Sequence, residues 1–163
     1  MKRTKYDINR SIYESLISKL NDTSDPQVKR LIGSWTVSLR QMDSWLSDPK
    51  TKIKKSALAT GLEQGLMDAY LMLIQINNEE STEACRIFLS VCENIDEAFI
   101  LKRNNRISKI LSRGKIRNEQ DYYLIRNKID ELSLLSPSSH SEIASYDQLL
   151  YEFENKRVQN NVK

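Results

Sequence analysis

Leu66-Met-Asp-Ala-Tyr-Leu-Met-Leu-Ile-Gln-Ile76 holds nine apolar residues in eleven positions, with no glycine or proline among them. A run of this length is too long for an ordinary strand and too apolar for a helix with one wet face. It predicts a helix with neighbours on nearly every side, the centre of the fold. Gly61 and Gly65 precede it four residues apart, where missing side chains let another helix approach closely. Asn77-Asn78-Glu79-Glu80 closes it.

Upstream, Ile8, Ile12, Leu16 and Leu20 recur every four residues with Tyr13 and Ile17 beside them, predicting a helix over 6–21. Asn21-Asp-Thr-Ser-Asp-Pro26 breaks it. Asp25 before Pro26 reads as an N-cap with proline at the first helical position, and Val28, Leu31, Ile32, Trp35, Leu39, Met42 and Leu46 carry a helix over 26–46. Trp35 lies on that stripe. Trp45 is turned about 80° from it by the helical period, a place for either core edge or an exposed interface anchor, and reads as core edge. Asp48-Pro49 repeats the start signal, and a basic turn of Lys50, Lys52, Lys54 and Lys55 leads into a helix from Ala57 to Ile76.

Downstream, Ser81 or Thr82 is the expected cap of a fourth helix bearing Cys85, Phe88, Leu89, Val91, Cys92, Ile95, Ala98 and Phe99. Ile107, Ile110 and Leu111 extend its stripe to Arg113-Gly114, a glycine stop, with Asn104-Asn105 as the place for a division. Asn118-Glu-Gln-Asp121 resembles a capping box, and Tyr122, Ile125, Ile129 and Leu132 predict a helix to about 135 with Tyr122 in the core. Ser136-Pro-Ser-Ser-His-Ser141 is a loop. Ile143, Tyr146, Leu149, Leu150 and Phe153 make the last helix. The expectation is an all-α, single-domain bundle of six or seven helices over 1–157, with a polar C-terminal tail at 158–163.

Composition agrees. The chain has 163 residues, four glycines and three prolines, a size that buries roughly two-thirds of its unfolded surface without staples. So few breakers exclude collagenous, low-complexity and turn-rich β chains. Cys85 and Cys92, seven apart on a helix, stand roughly 10 Å from each other, beyond the ~7 Å reach of a disulfide. They read as buried free thiols, which fits a reducing compartment. Tyr6-Asp7 stands where a secretory leader would place its apolar run, and no stretch of about 20 apolar residues occurs. The expected location is the cytoplasm, with no membrane partner.

The inventory for catalysis is thin. His140 is the sole histidine and falls in the serine-rich loop, where it reads as exposed rather than as half of a nucleophile-base pair. One histidine and two buried cysteines do not make a zinc site, no Glu-x-x-His, Cys-x-x-Cys or EF-hand spacing occurs, and the glycines form no phosphate loop. Glu93, Asp96 and Glu97 share one face of the expected long helix and read as solvated. No enzyme activity, metal or cofactor is expected.

Charge placement says more. The net charge is +3, yet between Ala98 and Asn118 there are seven basic residues and no acidic one, which leaves −4 elsewhere. Lys102, Arg106, Lys109 and Arg113 fall at i, i+4, i+7 and i+11, one stripe of a helix, and Arg103, Lys115 and Arg117 complete the set. Such a stripe suits an anionic partner. The run also has the outline of a helix-turn-helix, with Gly114 in the turn and the second helix opening at Asn118. Glu119 and Asp121 in its first turn would repel DNA phosphates, however, and leave Gln120 alone to read a base.

The stretch Arg113-Gly-Lys-Ile-Arg-Asn-Glu-Gln-Asp-Tyr-Tyr-Leu-Ile125 is similar to a segment of small bacterial helical proteins. In size and make-up the whole chain resembles bacterial immunity proteins, which neutralise contact-delivered or polymorphic toxins. That resemblance implies a stoichiometric inhibitor acting through surface complementarity and charge steering. Inhibitors of nucleic-acid-cleaving toxins tend to be acidic, so it also implies a second binding face built from Glu79, Glu80, Glu83, Glu93, Asp96 and Glu97. The expected function is non-enzymatic binding of a toxin domain. The alternative is a nucleic-acid-associated regulator using the 102–117 segment.

Overall fold

The computed structural model describes residues 2–161, with side chains through residue 157. Seven α-helices and no strand occur among them: α1 (Lys5–Leu20), α2 (Pro26–Ser47), α3 (Lys55–Ile76), α4 (Glu79–Ile95), α5 (Glu97–Arg113), α6 (Glu119–Leu135) and α7 (His140–Asn161). The chain is all-α, as its periodicity predicts. Its packing groups into two compact units, Met1–Glu97 and Ala98–Lys163. Of the polar tail expected at 158–163, the backbone is helical to Asn161, and residues 162 and 163 lie outside the described residues.

Unit 1 holds α1 to α4. Thr4 caps α1 in a reciprocal box: its hydroxyl accepts from the Asp7 N–H, and the Asp7 carboxylate accepts from the Thr4 N–H. Asp25 caps α2 as expected, its Oδ1 accepting from the N–H groups of Gln27 and Val28 at 2.8 and 2.9 Å. α3 packs against α1, α2 and α4, and α1 likewise packs against the other three, so two helices share the central place expected for one. Ile12, Leu16, Leu66, Leu73 and Phe88 are fully buried, each contributing roughly 1.5–3 kcal/mol of transfer free energy. The Tyr70 and Phe88 rings stack at 5.0 Å, and Trp35 meets Tyr13 edge to face at 5.8 Å. Cys85 and Cys92 are buried free thiols, and burial pushes the Cys92 thiol up to about 12.

The two glycines behave differently. A Cβ on Gly65 would come within 2.4 Å of the Tyr13 hydroxyl, the expected close approach, whereas Gly61 faces open space.

Three boundaries depart from expectation. α3 begins at Lys55, two residues before the expected Ala57, and the start signal at Asp48-Pro49 makes a turn instead, the Asp48 carboxylate accepting from Lys50 N at 2.9 Å and from Thr51 Oγ1 at 3.1 Å. Asn78, not Ser81 or Thr82, caps α4, with Ser81 completing a capping box from the third helical position. The long fourth helix divides at Asp96, where φ −149° and ψ 82° end α4 with the Asp96 N–H bonded to Cys92 O. Asn104-Asn105 stays helical on the exposed side of α5, where its side chains meet no packing conflict.

Unit 2 holds α5 to α7. Gly114 takes φ +59° and stops α5 as its position predicts. Ile107, Ile110, Ile116, Ile125, Ile129, Leu132, Tyr146, Leu149 and Leu150 form the core, with Tyr122 and Phe153 packed on it. Leu111, expected there, is more than a third exposed. Glu119 pairs with Arg157 and the Tyr122 hydroxyl donates to Glu154, which ties the start of α6 to the end of α7 and makes them an antiparallel hairpin.

Candidate functional site

The seven cations of the 102–117 segment divide into an inner and an outer group. Arg103 is buried, with its guanidinium 2.8 Å from Glu131, which also takes Lys128 at 2.7 Å. It is therefore not part of the exposed stripe on which the sequence places it. One helical step of about 100° from Lys102 carries it off the stripe and onto the side of Ile107 and Ile110. Arg106 and Arg113, expected to face outward, both turn to the buried carboxylate of Asp121: Arg106 reaches Oδ1 at 3.1 Å and Arg113 pairs with Oδ2. Arg113 Nε also donates to Lys115 O at 2.6 Å, fixing the turn between α5 and α6.

Asp121 explains the acidic opening of α6. Asn118 caps the helix by accepting from the Asp121 N–H at 2.9 Å, but the Asp121 side chain serves the arginines instead of completing a reciprocal box. Burial alone would raise its pKa. The hydrogen bond from Arg106, the Arg117 N–H and the charge of Arg113 outweigh that and hold the carboxyl below its ordinary value.

The outer group is exposed to solvent. Lys102, Lys109, Lys115 and Arg117 are exposed. Ala98, Leu101, Lys102, Asn105, Arg106 and Lys109 line an open depression of about 570 Å³ along α5, and Leu101 is 47% exposed within it. Ala98, Leu101 and Asn105 were not among the expected site residues. They follow the helical spacing of the cationic stripe one position to its side, so the same periodicity locates them once α5 is known to begin at Glu97.

The acidic residues do not form one face. Glu80 is engaged within unit 1: it accepts from Thr23 Oγ1 at 2.7 Å, from Ser24 N at 2.9 Å, from Asp25 N at 2.7 Å and from the Ser24 hydroxyl. The hydroxyls of Ser24 and Thr23 and the Asp25 N–H draw its pKa down to about 2. Glu79 and Glu83 are exposed in the first turns of α4, Glu83 beside Arg86 at 3.5 Å. Glu93 is exposed near the end of α4, Asp96 is the break itself and Glu97 opens α5, so these three share no helical face.

His140 is exposed at the first residue of α7. Among the described residues, no three His, Cys, Asp or Glu side chains are grouped to hold a metal ion, and no helix is long and apolar enough to cross a membrane. Comparison of the chain with known protein families, with curated proteins and with solved structures finds no match.

Proposed function

We propose that the chain is a non-enzymatic protein-binding module whose contact surface is the exposed face of α5. The observation that carries this reading is the mixture in one depression of exposed Leu101 and Ala98 with Lys102, Asn105 and Lys109. An apolar residue left half in water between cations favours a partner offering apolar and acidic side chains together. A phosphate backbone would use the lysines and gain nothing from Leu101. Arg103, Arg106 and Arg113 further weaken the nucleic-acid alternative by directing their guanidinium groups to Glu131 and Asp121.

The specific form of this reading is an immunity protein that works in the cytoplasm and covers a toxin domain stoichiometrically. It is supported by the size and helical make-up of the chain and by a surface suited to charge-steered association. The test is co-expression with the variable C-terminal domain of an exported protein encoded directly upstream. A one-to-one complex on size exclusion, lost in Leu101→Asp with Lys109→Glu, is the expected result. No complex, together with RNA or DNA affinity that falls steeply with salt and with Lys102→Gln, Lys109→Gln and Arg117→Gln, overturns it.

A further inference from the structure

The end of unit 1 formed by the last turn of α2, the link at 48–54 and the first turn of α3 is unused by the α5 reading. Trp45, Leu46 and Ile53 are 38%, 37% and 38% exposed there. Lys50, Lys52, Lys54 and Lys55 are exposed beside them. Asp48 is the only acidic residue between Ser44 and Leu62, and its two oxygens are engaged by Lys50 N and Thr51 Oγ1. Lys55 lies 5.5 Å over the Tyr6 ring, which leaves Lys50, Lys52 and Lys54 as the outward cations. α3 opens with no acidic residue in its first turn, so that turn adds no negative charge to the tip.

We propose that this tip adsorbs to the surface of an anionic phospholipid bilayer, with Lys50, Lys52 and Lys54 among the headgroups and Trp45, Leu46 and Ile53 entering the interface. Charge complementarity names the occupant. Clustered lysines are drawn to an anionic leaflet, and tryptophan settles at headgroup depth with its ring half in hydrocarbon. Lysine stems lie along the apolar boundary while their ammonium groups stay wet. What separates this tip from the α5 depression, whose lining holds no aromatic residue, is the exposed Trp45, the side chain that prefers headgroup depth. A nucleic acid would satisfy the lysines and leave Leu46 and Ile53 in water. No described helix is long and apolar enough to cross a membrane, so the proposed attachment is peripheral, and it differs from the sequence expectation of no membrane partner. The tip shares no residue with the α5 face, and each proposal stands without the other.

The test uses the full chain with vesicles of phosphatidylcholine alone or mixed with phosphatidylserine, read by sedimentation and tryptophan emission. Binding to the mixed vesicles only is expected, weakening as salt rises, with a blue shift that Trp45→Phe abolishes because Trp35 is already buried. Each of Lys50→Gln, Lys52→Gln and Lys54→Gln should lower partitioning about fivefold, on the order of a hundredfold together. Leu46→Ser with Ile53→Ser should weaken it at unchanged charge, and Lys102→Gln with Lys109→Gln should leave it unchanged. No binding to the mixed vesicles, equal binding to both, binding that survives the triple lysine variant, or binding lost through the α5 lysines overturns the proposal. So does an unshifted Trp45 emission accompanied by RNA binding that the triple variant removes.

Discussion

Among the described residues, the buried polar side chains of unit 1 are Asn9, Asp25 and Ser81, and those of unit 2 are Arg103, Asp121 and Glu131. The first set mostly bonds to backbone or to neutral groups. Asn9 Nδ2 donates to Ala59 O at 2.9 Å, Asp25 accepts from helix N–H groups and from Asn78, and Ser81 completes a cap. The second set consists of ions facing ions. Unit 1 has four helices and a core rich in Leu, Ile and aromatic rings, whereas unit 2 buries fewer apolar residues, mostly aliphatic, with Phe99 and Tyr146 its buried aromatic ones. A small unit buries less apolar surface and has more packings of similar energy. Two buried carboxylates that accept only arginine or lysine at set positions hold α5 and α6 in one register. The cost is desolvation, and a buried ion pair is a device for specificity more than for stability.

That contrast can be broken most severely at Glu131. Glu131→Ala leaves the Arg103 guanidinium buried without its carboxylate and should cost about 3–5 kcal/mol in urea unfolding, with lost hydrogen-exchange protection in α5–α7. The double variant Arg103→Met, Glu131→Leu should restore most or all of that stability. If the double variant is as unstable as the single one, the ions supply stability that the contrast assigns to apolar packing.

A smaller effect is expected in unit 1, where shape rather than charge is exacting. Gly65→Ala forces a methyl against the Tyr13 hydroxyl, which is buried and itself donates to Leu62 O at 3.3 Å. The expected loss is about 1–3 kcal/mol. Gly61→Ala, in open space on the same helix, should instead gain about 0.5–1 kcal/mol from helix propensity alone. Equal melting temperatures for the two variants would remove the close approach of α1 and α3 from the account.

The mildest test is acid. The Glu80 carboxyl is held near 2 against an ordinary value of 4.5, and Asp25 and Asp121 are also lowered. A carboxylate whose pKa is depressed by folding stabilises the folded state above its unfolded value, and that contribution is lost as pH falls through the folded one. Stability should therefore decline between about pH 4.5 and 2, and carboxyl NMR should place the Glu80 midpoint near the lower end. A Glu80 midpoint near 4.5 would mean that its hydrogen bonds to the turn before α2 do not persist in solution.

Much of the fold is legible in the order of residues. Helix positions, the Asp25-Pro26 start, the Gly114 stop and the burial of Cys85, Cys92 and Trp35 follow from periodicity and capping chemistry, which act over a few neighbouring residues. The break at Asp96 does not, because neither glycine nor proline marks it and the apolar stripe runs on past it. Nor does the division of the basic segment. Seven cations in a row of positions predict a positive surface, but Arg103, Arg106 and Arg113 find Glu131 and Asp121 on α6, between 8 and 28 residues away. Glu80 likewise reads as surface charge until α4 places it against the turn at Ser24. Local rules select the helix and the charge of its face. Which of those charges remains available to a partner depends on carboxylates brought near by folding, since pairing acts over a few ångströms of space and ignores separation along the chain.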